Sequence, residues 1–250
     1  MPSAPRIKFC GLTSLDDARL AVAAGAWAIG MVFWEGSPRR CELPEAEQIA
    51  AALRRTIEVV GVFHEAPLDE VIAVTEGVGL TMVQLHGSEG PAFCREVQRR
   101  CGVKVIKAAR VQYAVDVRGL EAFRTDYHLL DSHAVSAPGG TGETWNWDLI
   151  ASRRSTVPLI LAGGLDADNV GAAIAAVKPF AVDVASGTES EPGRKDPAKL
   201  LAFAAAVAAT APEPEPEPEA ATAPESEPEV EPVLELESEP AAEPEPEVSA

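Results

Sequence analysis

The sequence predicts an α/β protein, a (β/α)8 barrel followed by a disordered, acidic C-terminal tail. Three observations lead to this prediction. Eight short apolar runs recur at regular intervals, segments with helical periodicity lie between them, and the composition changes abruptly at Pro212. Eight strand-and-helix repeats in about 210 residues fit the compact end of the size range of the TIM barrel. We therefore assign residues 1–210 to the barrel and residues 211–250 to the tail.

The eight apolar runs are the predicted strands. Each is too short and too continuously apolar for an antiparallel strand with one exposed face, in which apolar and polar residues alternate. Strands buried on both faces are typical of parallel sheets that are covered by helices. In chain order the predicted strands are 7–9 (IKF), 28–33 (AIGMVF), 59–63 (VVGVF), 82–86 (MVQLH), 103–108 (VKVIKA), 127–131 (YHLLD), 158–163 (PLILAG) and 181–186 (AVDVAS).

Ala-rich segments with helical periodicity separate these strands. Several begin with Ser, Asp or Pro and end at Gly, which are the residues preferred at helix termini. The clearest are 14–26 (SLDDARLAVAAGA), 44–55 (PEAEQIAAALRR), 68–79 (LDEVIAVTEGVG), 90–102 (GPAFCREVQRRCG) and 166–179 (DADNVGAAIAAVKP). The loops after the second and sixth strands are longer than the others. An open, doubly wound sheet is the alternative fold, but it has no need of eight repeats, and no GxGxxG motif follows the first strand.

The tail accounts for most of the acidity of the chain. From Pro212 onward Pro, Glu and Ala dominate, and 14 of the 39 acidic residues lie there. The formal net charge of −18 thus divides into −14 for the tail and −4 for residues 1–211. Such a segment cannot bury enough apolar surface to offset the entropy lost on ordering, so we expect it to be disordered and extended. We interpret it as a solubilising tail; recruitment of a basic protein partner is the alternative.

The composition also excludes several classes of protein. No part of residues 1–211 is basic enough to indicate nucleic-acid binding, and no apolar stretch approaches the ~20 residues of a membrane-spanning helix. The N-terminal MPSAPRIKF lacks the apolar core of a signal peptide, so we expect a cytoplasmic location. In that reducing compartment disulfides are not expected among Cys10, Cys41, Cys94 and Cys101, and their spacing matches no zinc site.

The residues that follow the predicted strands should form the functional site, because the carboxyl ends of barrel strands meet at one face. The residues directly after the apolar runs are Cys10, the loop 36–40, His64, Gln84, His86, Lys107, Arg110, Asp131, Gly163, Gly164, Ser186, Gly187 and Thr188. Polar residues at this end of so many strands are more than packing requires.

Two glycine-bearing strand ends indicate an anion site. Gly163 and Gly164 follow the seventh strand and open a helical segment, and Ser186 and Gly187 follow the eighth. Glycine lets backbone N–H groups approach an anion closely, and a helix N-terminus adds the positive end of its dipole. Either glycine element alone would be read as a tight turn, but on consecutive strands they predict a phosphorylated ligand.

Cys10 and Asp131 are the candidates for proton transfer. They end the first and sixth strands, so the barrel places them on opposite sides of its mouth. A thiol whose pKa is lowered by nearby positive charge can act as a base, and a carboxylic acid in a water-poor pocket can act as an acid. Arg39 could clamp a carboxylate with its planar fork.

Each of these assignments has a purely structural alternative. Packing is the alternative for Cys10, a helix cap for Asp131, and a structural hydrogen bond for His86. The residue pattern alone therefore leads to a phosphate-binding barrel enzyme, an isomerase or a lyase.

Six blocks of the sequence resemble, in order, the signature blocks of the phosphoribosylanthranilate isomerase family of tryptophan biosynthesis. They are KFCGLT, GMVFWEGSPR, VQLHG, LLDS with GGTGETWNW, LAGGLDADNV, and VDVASGTESEPGRKD. The resemblance covers residues 6 to about 207 and leaves the tail outside it. It implies an Amadori rearrangement of N-(5-phosphoribosyl)anthranilate to 1-(2-carboxyphenylamino)-1-deoxyribulose 5-phosphate, without a metal or an organic cofactor.

The resemblance also implies roles for individual residues. Cys10 is expected to be the general base, Asp131 the general acid, and Arg39 the residue that holds the anthranilate carboxylate. The expected phosphate ligands are Gly163, Gly164, Ser186 and Gly187. Further substrate contacts are expected from Gln84, His86, Gly142 and Asp183.

Some features leave these expectations open. Arg40 stands beside Arg39, so either arginine could hold the carboxylate, and Ala185 stands where the family often has a second Ser. The segment KAARV lacks the bulky residue that often follows KA. A sugar-phosphate isomerase of the histidine pathway is the nearest rival, but that family has Asp in the place of Cys10. A phosphate-ligand binding protein without turnover is the other alternative, and the pairing of Cys10 with Asp131 argues against it.

Overall fold

Eight parallel strands close into a barrel in chain order, which confirms the predicted fold class. The structure is a computed structural model that describes residues 4–132, 150 and 153–211. The first strand pairs with both the second and the eighth. The strands are β1 (Arg6–Cys10), β2 (Ala28–Val32), β3 (Glu58–Phe63), β4 (Met82–Leu85), β5 (Lys104–Val111), β6 (Tyr127–Ser132), β7 (Leu159–Ala162) and β8 (Ala181–Val184). The prediction for the tail falls, from residue 212 onward, outside the described residues.

The helices lie outside the barrel, and most of them fall within the segments for which the sequence predicts helical periodicity. Those within the described residues are α1 (Leu15–Ala23), α2 (Leu43–Leu53), α3 (Leu68–Val78), α4 (Pro91–Cys101), α5 (Ala114–Gly119), α6 (Val170–Val177) and α7 (Pro197–Ala208). The Ser14 hydroxyl caps α1 by accepting from the Asp17 N–H at 3.2 Å. Gly79 and Gly102 end α3 and α4 in the left-handed conformation, at φ 77° and 67°, where glycine carries no Cβ penalty.

Alternation along each strand divides the buried residues into two layers. Side chains that face the helices form the larger core; Phe9 of β1, for example, meets Phe203 of α7 edge to face at a centroid distance of 6.1 Å. Side chains that face the barrel axis form a smaller core, which includes Val60, Met82 and Leu129. The neighbours of Phe9 in β1 therefore face the interior. One of them is Lys8, which is fully buried.

A short hairpin that the sequence did not predict follows β8. Its strands are β9 (Glu189–Glu191) and β10 (Arg194–Lys195), which pair antiparallel. The Thr13 hydroxyl donates to the Gly193 carbonyl at 2.6 Å, and the Lys195 N–H donates to Asp17 Oδ2 at 2.9 Å. These bonds fasten the hairpin to the segment that follows β1, beside the mouth of the barrel.

The structure gives the length and apolar character of the helices and the state of the four cysteines. Within residues 4–132 and 153–211, no helix combines the length and the apolar character needed to span a bilayer. All four cysteines are free; Cys41 and Cys94 are buried, and Cys10 and Cys101 are partly exposed.

Candidate active site

A cavity of about 960 Å³ opens at the carboxyl ends of the strands, and every one of the eight strands or the loop after it contributes to its wall. Most of the predicted site residues meet there. The structure brings together Cys10, Arg39, Gln84, His86, Asp131, Gly163, Gly164, Asp183 and Ser186. Gly187 does not line the cavity, and Gly142 lies outside the described residues.

Cys10 stands at the end of β1, opposite Gly30 of β2. Gly30 leaves room for it, because a Cβ at that position would lie 2.7 Å from Cys10 Sγ and 3.1 Å from Lys8 Nζ. The thiol and the Lys8 ammonium are therefore neighbours above a glycine. Burial raises the pKa of the Cys10 thiol, while Lys8 and, more weakly, Lys195 act to lower it. The lowering by nearby positive charge that the sequence analysis invoked is present, but burial outweighs it, so the net effect is a raised pKa.

Lys8 is the buried cation next to the thiol. Its Nζ lies 2.9 Å from Asp183 Oδ1, and its side chain is 0% exposed. Burial acts to lower the pKa of Lys8, but Asp183 and Cys10 outweigh it, so the pKa is raised and the ammonium persists. Sequence reasoning missed Lys8. The signal was a lysine within an apolar run, two residues before Cys10 and thus on the same face of the strand.

Asp131, at the end of β6, faces a row of two side chains, His86 directly after β4 and Gln84 within it. His86 Nε2 lies 3.3 Å from Asp131 Oδ2, and His86 Nδ1 lies 3.1 Å from Gln84 Nε2. The Gln84 amide nitrogen is a donor, so a hydrogen bond from it makes His86 Nδ1 the acceptor and places a ring N–H on Nε2, on the side of the carboxyl group. The structure thus places the predicted substrate ligand His86 against the predicted acid. Gln84 Oε1 is buried and has no hydrogen-bond partner in the described part of the chain.

Arg39 lies in the loop after β2 and lines the cavity, whereas Arg40 does not. Arg40 faces two acidic residues, at 3.7 Å from Glu35 and 3.6 Å from Glu42. Arg39 is paired with Glu189, with distances of 2.8 Å from Nε to Oε1 and 2.7 Å from Nη2 to Oε2. Sequence reasoning assigned no role to Glu189.

The two glycine-bearing strand ends lie side by side at one edge of the cavity. Gly163 and Gly164 have positive φ values of 95° and 64°, a conformation that favours glycine. The helix that follows them, α6, begins only at Val170, so its N-terminus is farther from the glycines than predicted. Gly187 packs against the Leu165 carbonyl, where a Cβ would collide with the backbone. Its effect is to let the loops after β7 and β8 approach each other.

Trp34 also lines the cavity, and the sequence analysis assigned it no role. It lies in the same loop as Arg39, is 44% exposed, and stacks on His64 with ring centroids 4.9 Å apart. An exposed tryptophan at the edge of a polar cavity offers an apolar face to a flat ring. In the described ranges no group of His, Cys, Asp or Glu side chains is arranged to hold a metal ion.

Fold and cavity together define the class of this protein. It is a (β/α)8-barrel enzyme whose pocket combines a thiol, a carboxyl group, an arginine and glycine-rich loops, a set suited to proton transfer on an anionic substrate. The family model described as N-(5'phosphoribosyl)anthranilate (PRA) isomerase matches residues 7–206. The chain belongs to this family.

Individual relatives agree with that assignment. The N-(5'-phosphoribosyl)anthranilate isomerase of Geobacter metallireducens is 47% identical over 198 residues, which cover 79% of this chain and 96% of that relative. The crystal structure of phosphoribosyl anthranilate isomerase from Thermotoga maritima has a TM-score of 0.72 at 38% identity, covering 81% of this chain and 98% of that one. A further structure, of an isomerase in complex with reduced 1-(o-carboxyphenylamino)-1-deoxyribulose 5-phosphate, has a TM-score of 0.70 at 36% identity, with the same coverage of both chains.

Proposed function

We propose that this chain converts N-(5-phosphoribosyl)anthranilate to 1-(2-carboxyphenylamino)-1-deoxyribulose 5-phosphate, an isomerisation in tryptophan biosynthesis. The observation that carries the proposal is the placement of Cys10 and Asp131 at the ends of β1 and β6, lining one cavity that also contains the glycine-bearing loops. Family membership and the relative solved with a reduced product analogue support it. Because the proposed base is a free thiol, a reducing compartment such as the cytoplasm suits the reaction.

Asp131 is the proposed acid for opening the ribose ring. Its carboxyl group gives a proton to the ring oxygen while the bond from that oxygen to C1′ breaks. The nitrogen lone pair forms the C1′=N bond, so the product of this step is a protonated Schiff base. The contact between His86 Nε2 and Asp131 Oδ2, at 3.3 Å, orients the carboxyl group and leaves Oδ1 for the transfer.

Cys10 is the proposed base for the second step. As a thiolate it removes the proton from C2′, and the electrons of that C–H bond form C1′=C2′ while the Schiff base nitrogen becomes neutral. The resulting enolamine tautomerises to the ketone. Lys8 stabilises the thiolate, and the positive charge of the Schiff base adds to this effect, which offsets the burial that raises the pKa of the thiol.

The two ends of the substrate meet different walls of the cavity. The phosphate is proposed to lie at Gly163, Gly164 and Ser186, where backbone N–H groups can approach it closely. The anthranilate ring is proposed to lie beside Trp34, with its carboxylate at Arg39. Gly187 supports the phosphate loops by close packing.

The test is an isomerase assay on the purified full chain, which follows the loss of substrate fluorescence and identifies the product by its chromatographic separation from the substrate and by its reaction as a ketose. Turnover that saturates with substrate and is inhibited competitively by inorganic phosphate is the expected result. Binding of the substrate without any turnover would contradict the proposal and indicate a phosphate-ligand binding protein.

A further inference from the structure

One of the two hydrogen-bonding edges of the Arg39 guanidinium group is already bound to another residue of the chain. A guanidinium group has a side edge, formed by Nε and Nη2, and an end edge, formed by Nη1 and Nη2. Glu189 takes the side edge with three contacts, at 2.8 and 3.1 Å to Nε and 2.7 Å to Nη2. Nη1 has no hydrogen bond in the described part of the chain, and the Arg39 side chain is 25% exposed. A substrate carboxylate can therefore reach only the end edge.

Glu189 is itself held rigidly. Its side chain is 4% exposed, and Oε1 also accepts from Lys195 Nζ and from the Gly193 N–H, each at 3.4 Å. The Lys199 ammonium binds the Glu189 carbonyl at 2.7 Å. Burial acts to raise the pKa of Glu189, but the hydrogen bonds from Arg39 and the charge of Lys195 hold it below its usual value. A fixed, ionised carboxylate thus sets the orientation of the guanidinium.

Lys195 adds a second cation to this cluster; burial lowers its pKa, and the charge of Glu189 acts to raise it. Its Nζ donates to the Ala185 carbonyl at 2.9 Å, to the Thr188 hydroxyl at 3.2 Å and to Glu189 at 3.4 Å, so all three ammonium protons are used. Glu189 alone would neutralise Arg39. With Lys195 included, two cations face one anion, and the cluster retains a net charge of about +1 that favours an incoming carboxylate.

We propose that Glu189 is a positioning residue that, together with the charge of Lys195, determines the preference of this site for a carboxylate-bearing substrate. Glu189 aims the end edge of Arg39 at the cavity, and Lys195 restores the positive charge that Glu189 would cancel. The inference rests on the proposed function, because it assumes that Arg39 receives the anthranilate carboxylate. Neither residue touches the atoms that react.

The readout is a preference between two substrates. N-(5-phosphoribosyl)aniline lacks only the carboxylate of the anthranilate substrate. The ratio of kcat/KM for the two compounds reports the contribution of the carboxylate, and the difference in intrinsic reactivity between the compounds cancels when this ratio is compared between variants. Hydrogen bonds to a charged group predict a ratio of roughly 10- to 100-fold in the wild type.

The Glu189→Gln variant separates positioning from charge, because the two explanations predict opposite changes. Positioning predicts that the ratio falls about tenfold, since the fork of Arg39 is no longer held by a carboxylate. Charge alone predicts that the ratio rises, since the variant cluster carries about +2. The Glu189→Gln/Lys195→Met variant returns the charge to about +1, and positioning predicts that its ratio stays low.

A matched control is available on the same strand. Glu191 also lies in β9, but its side chain is 64% exposed and, among the residues that the structure describes, pairs only with Arg194, at 3.5 Å. The Glu191→Gln variant is expected to keep the wild-type ratio. Should Glu189→Gln fail to fold, Arg39→Lys provides a second test, because it keeps the charge but cannot bind Glu189 and the substrate at once. The expected result is again a loss of the preference.

The outcomes distinguish this inference from the proposed function. A wild-type chain that does not turn over the anthranilate substrate contradicts the function. A wild type that is active but treats both substrates alike contradicts the role of Arg39. A wild type that prefers the carboxylate, with an unchanged ratio in Glu189→Gln or in Arg39→Lys, overturns the positioning role of Glu189.

Discussion

Gly30 controls the position of Cys10, the proposed base. It faces Cys10 across the β1 and β2 pair, and the space above its Cα is filled by Cys10 Sγ and Lys8 Nζ. The thiol is a short side chain, so it cannot move aside without changing its distance to the substrate. Gly30 is thus a functional residue, although it carries no functional group.

The Gly30→Ala variant should therefore lose activity while it keeps the fold. The added Cβ would lie 2.7 Å from Cys10 Sγ and displace it, and a displacement on the order of 1 Å costs up to ~100-fold in rate. We expect kcat to fall by at least about tenfold in the isomerase assay. Gly77→Ala in α3 is the matched control, since a Cβ there meets nothing within 4 Å. Equal activity in both variants would show that the position of the thiol is not limiting.

Two loops form the proposed phosphate-binding end of the site. The loops after β7 and β8 are in close contact because Gly187 has no side chain between its backbone and the Leu165 carbonyl. Gly163 and Gly164 of the first loop have positive φ, which an L side chain rarely adopts. The geometry of the predicted anion site therefore depends on the contact between the loops after β7 and β8, and on the backbone conformation of the loop after β7.

The Gly187→Ala variant should weaken phosphate binding. The methyl group collides with backbone, which cannot yield as a flexible side chain does, so the two loops must separate. The expected result is a rise of about tenfold in the inhibition constant of inorganic phosphate and in KM. Gly171→Ala in α6 meets nothing within 4 Å and should leave both constants unchanged. An unchanged inhibition constant in Gly187→Ala would exclude this edge of the cavity as the phosphate site.

The elements could be predicted from the sequence more completely than the contacts between them. The strands are visible because each is a short apolar run, and Cys10 and Asp131 are visible because they stand where such runs end. The pairs Lys8 with Asp183 and Arg39 with Glu189 join residues 175 and 150 positions apart, so no local pattern reveals them. Their existence follows only from the closure of β1 against β8 and from the hairpin that follows it.

The stability of the whole molecule should depend on pH through His128. This residue is fully buried in β6, its Nε2 lies 3.2 Å from the Phe123 carbonyl, and burial lowers its pKa to about 4. The unfolded chain takes up a proton near pH 6.5, whereas the folded chain does so only near pH 4. His128 therefore costs stability as the pH falls from about 6.5 towards 4, and none of this cost is present above that window.

Replacing His128 with leucine should flatten this pH dependence. From pH 7 to pH 5 the free energy of unfolding of the wild type should fall by about 2 kcal/mol more than that of His128→Leu. The measurement is urea unfolding of both proteins at the two pH values, so that the constant cost of the substitution cancels. Parallel pH dependences would show that His128 does not titrate differently in the folded and unfolded chain.

The acidic tail is expected to be separate from catalysis. The family match ends at residue 206, and the last described helix, α7, ends at Ala208, with the Thr210 hydroxyl bound to the Val207 carbonyl at 2.7 Å. Ending the chain after Thr210 keeps this bond. We expect kcat/KM of the shortened chain to stay within about twofold of the full chain at physiological ionic strength, where the Debye length is about 8 Å. A large fall in kcat/KM would assign the tail a part in the reaction.

Turnover by the Cys10→Ala protein tests most directly whether Cys10 is the general base. It is measured in the assay that follows loss of substrate fluorescence. Cys101→Ala serves as the control, because Cys101 is partly exposed at the end of α4, outside the cavity. We predict that kcat falls by about 10²- to 10⁴-fold in Cys10→Ala, with an unchanged melting temperature, and stays at the wild-type value in Cys101→Ala. Near-normal turnover by a folded Cys10→Ala protein would show that Cys10 is not the general base.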